Sequence, residues 1–260
     1  MTAVATHIGT RLELGKVLRD VFGVVERNLV PFILAGLLLV GAPDVLGGLA
    51  RLVFRSGVAL SLAALAINLV SIVLLFVMQA GVFYATARDL NGSPAPPAEF
   101  VGVGRKAWLP LLGVSLLVGI GSALGMILLV VPGVLLLLRW SVAAAALVIE
   151  GRGVMDSMGR SAALTKGRRG TIFLLFLMIG VIILVSEMVL FGIVGGLAGM
   201  TAIARNGVTT ASGAVLVLLV SPLLSIVFAV FGSVIGATLF HHLRVTREGG
   251  APETLGQVFD

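Results

Sequence analysis

The sequence predicts an all-α integral membrane protein, a polytopic helical bundle of about six transmembrane helices with amphipathic interfacial helices. Three observations predict it. The 260 residues are 58% hydrophobic but only 12% charged, whereas a soluble domain carries about 25% charged residues. The mean hydropathy is +1.16. Apolar runs of about 20 residues, the length that a ~30 Å hydrocarbon core requires, recur along the chain. So few charges cannot cover a water-facing surface, which excludes a soluble enzyme, a disordered regulator and a secreted disulfide scaffold. Cysteine is absent, so there is no disulfide framework and no thiolate metal site.

The chain reads as a single membrane domain over 1–260, with an amphipathic helix at 10–27, a six-span bundle at 29–249 and a short polar tail at 250–260. Thr10-Arg11-Leu12-Glu13 has the form of a capping box, in which hydroxyl and carboxylate satisfy the free amides of a helix start. Leu14, Val17, Leu18, Val21, Val24 and Val25 follow at helical spacing, with Lys16, Arg19, Asp20 and Arg27 opposite. That pattern predicts a helix lying in the inner headgroup layer. No charged n-region leads into an apolar stretch at Met1–His7, so a cleaved signal peptide is not expected.

The first span runs from Leu29 to Ala50, with a break expected at Gly41-Ala42-Pro43-Asp44. The second, Gly57 to Ala87, exceeds the bilayer and is expected to tilt or to project beyond it. A loop, Asn91-Gly92-Ser93-Pro94-Ala95-Pro96-Pro97, follows by its turn chemistry. The short basic segment Glu99 to Lys106 then leads into the third span, Trp108 to Val130. Pro132-Gly133 is expected to turn the chain into the fourth, Val134 to Ile149. A broken helix or re-entrant pair over 108–149 is the competing arrangement. Gly153 to Lys166 sets Val154, Met155, Met158, Ala162 and Thr165 on one face and predicts a second interfacial helix. Thr171 to Met200 is the fifth span and Ser212 to Leu243 the sixth, with Pro222 as a kink.

Fourteen of the eighteen Lys and Arg residues fall in alternate polar segments: the N-terminus, the second and fourth loops and the C-terminus. Opposite them stand only Arg51, Arg55 and Arg205. The positive-inside rule therefore puts both termini in the cytoplasm of a cell inner membrane. The net charge of +6 is not read as nucleic-acid affinity. In a chain this apolar, Lys and Arg mark cytoplasmic loops and anionic lipid headgroups.

Some stretches look familiar. Val131-Pro132-Gly133 runs on through Arg139-Trp140 to Glu150-Gly151. Ser161-Ala162-Ala163-Leu164-Thr165-Lys166-Gly167-Arg168-Arg169 follows, and Phe240-His241-His242-Leu243-Arg244 through Glu248-Gly249 lies near the end. This pattern, with the amphipathic start running into Asn28-Leu29-Val30-Pro31, resembles the glycerophosphoryl diester phosphodiesterase membrane domain and related uncharacterised six-span bacterial membrane proteins. A tyrosine near the end of that family is replaced here by His241 or His242. In two-part members the chemistry belongs to a separate barrel domain, which needs at least ~200 residues. Six spans already occupy this chain, so the resemblance implies the membrane half alone, without catalysis.

Residue chemistry points the same way. No H-E-x-x-H and no G-x-G-D pair is present, and Thr210-Ala211-Ser212-Gly213 lacks a histidine base at membrane depth. His241-His242 reads as an interfacial pair meeting headgroups rather than a metal site, and no cofactor is expected. Glycines four apart, such as Gly121 with Gly125 and Gly232 with Gly236, predict close helix packing within one bundle. Asn68 is expected to make an interhelical hydrogen bond. Arg152, Arg160, Lys166, Arg168 and Arg169, close together on the cytoplasmic side, are the candidate contacts for anionic phospholipid headgroups. Arg139 and Glu187 are placed at similar depth in the outer half of the hydrocarbon, as a candidate ion pair between the fourth and fifth spans. The alternative is that Arg139 snorkels outward and Glu187 is protonated or faces water. The expected role is accessory, scaffolding or regulatory in lipid or envelope homeostasis, with a membrane protein partner. A small transporter or lipid translocator is the alternative.

Overall fold

In the computed structural model, residues 13–54, 57–203 and 211–248 are described, apart from the side chains at 51, 52, 187, most of 190–203 and 211–221. Ten α-helices and no strand occur among them. Six helical stretches are long and apolar enough to cross a bilayer, and the protein is a multi-pass membrane protein of all-α class. Thr10, the first half of the expected capping box, and the tail 250–260 lie outside the described residues, as do Arg55 and Arg205.

Helix α1, Leu14–Arg27, buries Val17, Val21, Val24 and Val25, spaced so that they share one face. That face packs on the last helix of the chain. The apolar stripe of α1 is therefore covered by protein. Asn28 ends the helix and returns its side-chain amide to the Val24 carbonyl.

The first span, Leu29–Ala50, combines α2 (Leu29–Gly36), one wide π-helical turn (Leu37–Gly41) and α3 (Ala42–Val53). Pro43 explains the wide turn. Proline has no N–H and its ring crowds the carbonyl four residues back, here Leu39, so the helix widens instead of breaking. The expected break is thus a bulge. Gly36 lets the span approach its neighbour: a Cβ there would overlap the Ile226 side chain.

Helices α4 (Val58–Leu90) and α5 (Pro97–Leu128) form a long hairpin. The expected Gly- and Pro-rich loop joins them, with Gly92 in the left-handed region at φ 76°. The basic segment Glu99–Lys106 is the continuous start of α5, not a separate piece. Asn68 donates to the Ala64 carbonyl of its own helix, so the expected interhelical bond is corrected.

The turn between spans three and four lies at Leu129, in extended conformation between α5 and α6 (Val130–Arg139). Pro132 and Gly133 fall inside α6, so the turn comes three residues earlier than expected. Backbone geometry explains the shift, because proline fits the first turn of a helix, where N–H groups lack partners anyway. The fourth span is a broken helix: α6, a turn at 140–142, then α7 (Ala143–Glu150). Gly121 makes room for the Trp140 ring, and Gly125 meets Gly133. Packing of glycines within the bundle holds at both positions, while a Cβ at Gly192, Gly196 or Gly232 would meet nothing within 4 Å among the described residues.

Helix α8, Val154–Thr165, buries Ser157, Ser161, Leu164 and Thr165 and leaves Met155 exposed. The expected apolar face is realised in part: Val154 and Met158 pack against a core cluster and Thr165 is buried, while Met155 points outward. The hydroxyl face turns inward because it has backbone partners to satisfy there. Helices α9 (Arg169–Ile203) and α10 (Ala211–Glu248) complete the described residues, with Pro222 inside α10.

The closely packed core sits toward one end. It contains Met78 to Ala85 of α4, Leu111 of α5, Ala145 and Ala146 of α7 and Val230 to Leu243 of α10. Leu62, Leu65 and Leu69 of α4 and Leu174 to Val189 of α9 are instead largely exposed. Such a belt suits a bilayer, where lipid tails are as apolar as leucine. At the packed end, Asp89 holds the α1–α2 junction, accepting from Arg27 at 2.6 Å and from Asn28 at 3.0 Å. The Asp89 carboxylate raises the pKa of Arg27, whose side chain is 56% exposed. Asp89 is only 12% exposed but keeps the Asn28 amide as a donor, and Arg27 itself is open to solvent, so Arg27→Met should lower the thermal midpoint less than Arg160→Met does. A loss as large as that expected below for Arg160 would contradict this.

Candidate functional site

The packed end is also the charged end, and its side chains divide into two groups. The first is a bracket across helix ends. Arg160 of α8 donates to Glu150, the last residue of α7, at 2.8 Å, and meets Glu248, the last of α10, at 2.5 Å. Arg152 also pairs with Glu150, and Arg244 with Glu248 at 3.4 Å. Carboxylates of Glu248 and then Glu150 raise the Arg160 pKa far beyond any working pH, so its charge is permanent. Nearby, Arg168 bonds to the Thr246 hydroxyl and carbonyl, and Arg247 to the Lys166 carbonyl. Burial, then Arg247, pushes the Arg168 pKa down.

The break in span four is held by the same helix. Ser161 and Thr165 both donate to the Arg139 carbonyl, at 2.9 and 3.2 Å, while the Val142 amide donates to the Ser161 hydroxyl at 3.2 Å. These are backbone groups that a continuous helix would have paired, and the buried hydroxyls replace the lost partners. Gly151 and Gly167 adopt left-handed backbone, φ 63° and 80°, one on each side of α8, where the chain must reverse. A β-carbon is disfavoured at both.

The second group is basic. Arg139, Lys166 and Arg169, with Ala162, Gly167 and Gly170, line an open pocket of about 550 Å³. Among the described residues none of these three cations makes an ion pair or a side-chain hydrogen bond, and the Arg169 Nε is buried without a partner. Beside it an apolar groove of about 580 Å³ lies between α5, α6 and α9, lined by Val114, Val118, Leu137, Trp140, Phe173 and Leu177 among others.

No family model, no curated protein and no solved structure matches the chain.

The five sequence candidates thus have different surroundings. Lys166 and Arg169 face the basic pocket. Arg152 and Arg160 pair with carboxylates, and Arg168 binds the end of α10. Arg139 joins Lys166 and Arg169, which the sequence did not signal because the loop before α9 is distant along the chain. The Glu187 side chain lies outside those described. Its backbone stands 18 residues beyond Arg169 on α9, about 27 Å along the axis at 1.5 Å per residue.

His242 bonds through Nε2 to Asp20 of α1 at 2.7 Å, so it ties the ends of the described chain to each other. His241 sits against it, ring to edge, at 5.9 Å.

Proposed function

We propose that this chain is a non-catalytic inner-membrane protein with both termini in the cytoplasm, serving an accessory, scaffolding or regulatory role in lipid or envelope homeostasis. The observation that supports this reading most is the use of its carboxylates. Glu150, Glu248, Asp89 and Asp20 are each engaged by arginine or histidine in helix-to-helix contacts. Groups engaged in this way hold a shape; a general acid or base must instead face its substrate. We also propose that the chain is the counterpart of the membrane half of two-part phosphodiesterases, acting beside a separate partner. A lipid translocator is the second reading, favoured by the adjoining basic pocket and apolar groove.

Affinity purification in mild detergent is the test. A stoichiometric membrane partner is the expected result. A monodisperse protein without a partner, together with lipid or solute flux after reconstitution, would overturn the accessory reading in favour of the second. Reporter fusions at the two ends should both report the cytoplasm, and a periplasmic signal from either would overturn the orientation.

A further inference from the structure

We propose that the cleft between α6 and the start of α9 is a binding site for one anionic phospholipid. Its phosphate would be held among Arg139, Lys166 and Arg169, and an acyl chain would lie in the adjoining groove. The inference deepens the lipid-linked reading above and rests on it for the membrane setting.

The two cavities are consecutive along the same two helices. On α6, Leu137 and Leu138 line the groove and Arg139 the basic pocket. On α9, Arg169 and Gly170 line the pocket, and Phe173, Phe176 and Leu177 line the groove. Residues 169, 173, 176 and 177 share one face of a helix. One wall therefore passes from cationic to apolar within about one helical turn, roughly 5 Å. That is the polarity profile of an amphiphile seated with its headgroup on the basic side.

Charge selects the headgroup. Three cations gathered without a carboxylate repel one another, and an anion relieves that repulsion. Arg169 adds a buried Nε–H with no protein acceptor, which a phosphate oxygen would satisfy. A zwitterionic lipid would bring its own cation into the cluster and lose the advantage. Basic pockets between transmembrane helices are recurrent anionic-lipid sites. The groove, at about 580 Å³, lies within the roughly 300–1,000 Å³ of ordinary ligand sites. A free phosphate would leave it unused.

Trp140 lines the groove and serves as the reporter. Trp108→Phe leaves it as the sole tryptophan, since the chain has two. The full chain is reconstituted in phosphatidylcholine with a minor fraction of brominated phosphatidylglycerol, or of brominated phosphatidylcholine as the comparison. Trp140 should be quenched preferentially by the anionic lipid. Lys166→Ala with Arg169→Ala should weaken that preference at least about tenfold. Arg105→Ala with Lys106→Ala removes the same charge elsewhere and should leave it unchanged. Gly119→Leu places a side chain in the groove where a Cβ meets nothing within 4 Å, and should reduce quenching by both lipids.

Equal quenching by the two lipids would overturn the proposal. So would equal loss in the two double variants, which means diffuse attraction, or no effect of Gly119→Leu. Displacement of the lipid by inorganic phosphate would overturn it in favour of a free-anion site. Should the Lys166/Arg169 variant fail to fold, the two-lipid comparison and Gly119→Leu decide by themselves. Co-purification of a stoichiometric partner does not depend on the lipid site, so failure here is distinguishable from failure of the accessory reading.

Discussion

Arg160→Met is expected to lower the stability of the detergent-solubilised protein by about 3 kcal/mol, because it strands a carboxylate that the fold has largely removed from water. Methionine preserves most of the apolar stem and deletes the charge. Arg160 and Glu150 side chains are only 17% and 12% exposed, so their attraction is weakly screened. Glu248, at 42%, is more open to solvent, and its share should be smaller. Arg152 would remain on Glu150, but it is itself 43% exposed and cannot restore the link from α7 to α8. Tryptophan fluorescence during heating measures the effect, since Trp140 lies beside the break that α8 holds. A fall in Tm of roughly 6–12 °C is expected for a chain of this size. Glu150→Gln added to Arg160→Met should recover part of the loss, because the double variant no longer leaves a carboxylate unpaired. An unchanged Tm for Arg160→Met would show that the bracket contributes nothing.

That bracket is not legible in the sequence, where Arg152 and Arg160 read as headgroup contacts. Composition and run length were sufficient for an all-α membrane protein, because the number of apolar runs depends on local residues alone. The same holds for the loop at 91–97, where turn chemistry is local. Pairings across the bundle are different. Glu150 and Arg160 are ten residues apart, but Glu248 is 88 residues beyond Arg160 and carries no mark of its destination. What covers the apolar face of α1, and which face of α8 is buried, escape a local reading for a related reason. A hydrophobic stripe shows which side avoids water; it does not show whether lipid or protein covers that side, and α1 is covered by α10. In α8 the rule itself failed, since the buried side carries Ser157, Ser161 and Thr165. The Ser161 and Thr165 hydroxyls are needed where span four breaks, and nothing local to α8 announces a break at 140–142. Arg139 was read as a charge deep in the span on the assumption of an unbroken helix. The break brings its carbonyl to α8 and its side chain to the basic pocket.

Gly133→Ala should cost about 1–3 kcal/mol, the range for a side chain forced into a filled space. The new Cβ would stand 2.5 Å from the Met126 amide nitrogen and 2.8 Å from its Cα. These are backbone atoms of α5, so no rotamer change relieves the contact and the helices must separate. Separation is resisted from both ends. Leu129 is the sole residue between the two helices, and Ser161 and Thr165 hold the Arg139 carbonyl at the other end of α6. The strain therefore stays at the crossing or is passed along α6 to Leu137, Leu138 and Arg139, which line the two cavities. Loss of thermal stability should be accompanied by weaker quenching of Trp140 by brominated phosphatidylglycerol. Gly180→Ala is the control. It lies within α9 with nothing within 4 Å of a Cβ, so alanine there adds helix propensity, about 0.5–1 kcal/mol in favour of the fold. The two glycines should thus respond with opposite signs to the same methyl group. If heating gave both variants the same midpoint, the α5–α6 contact would not be the close crossing that positions Arg139.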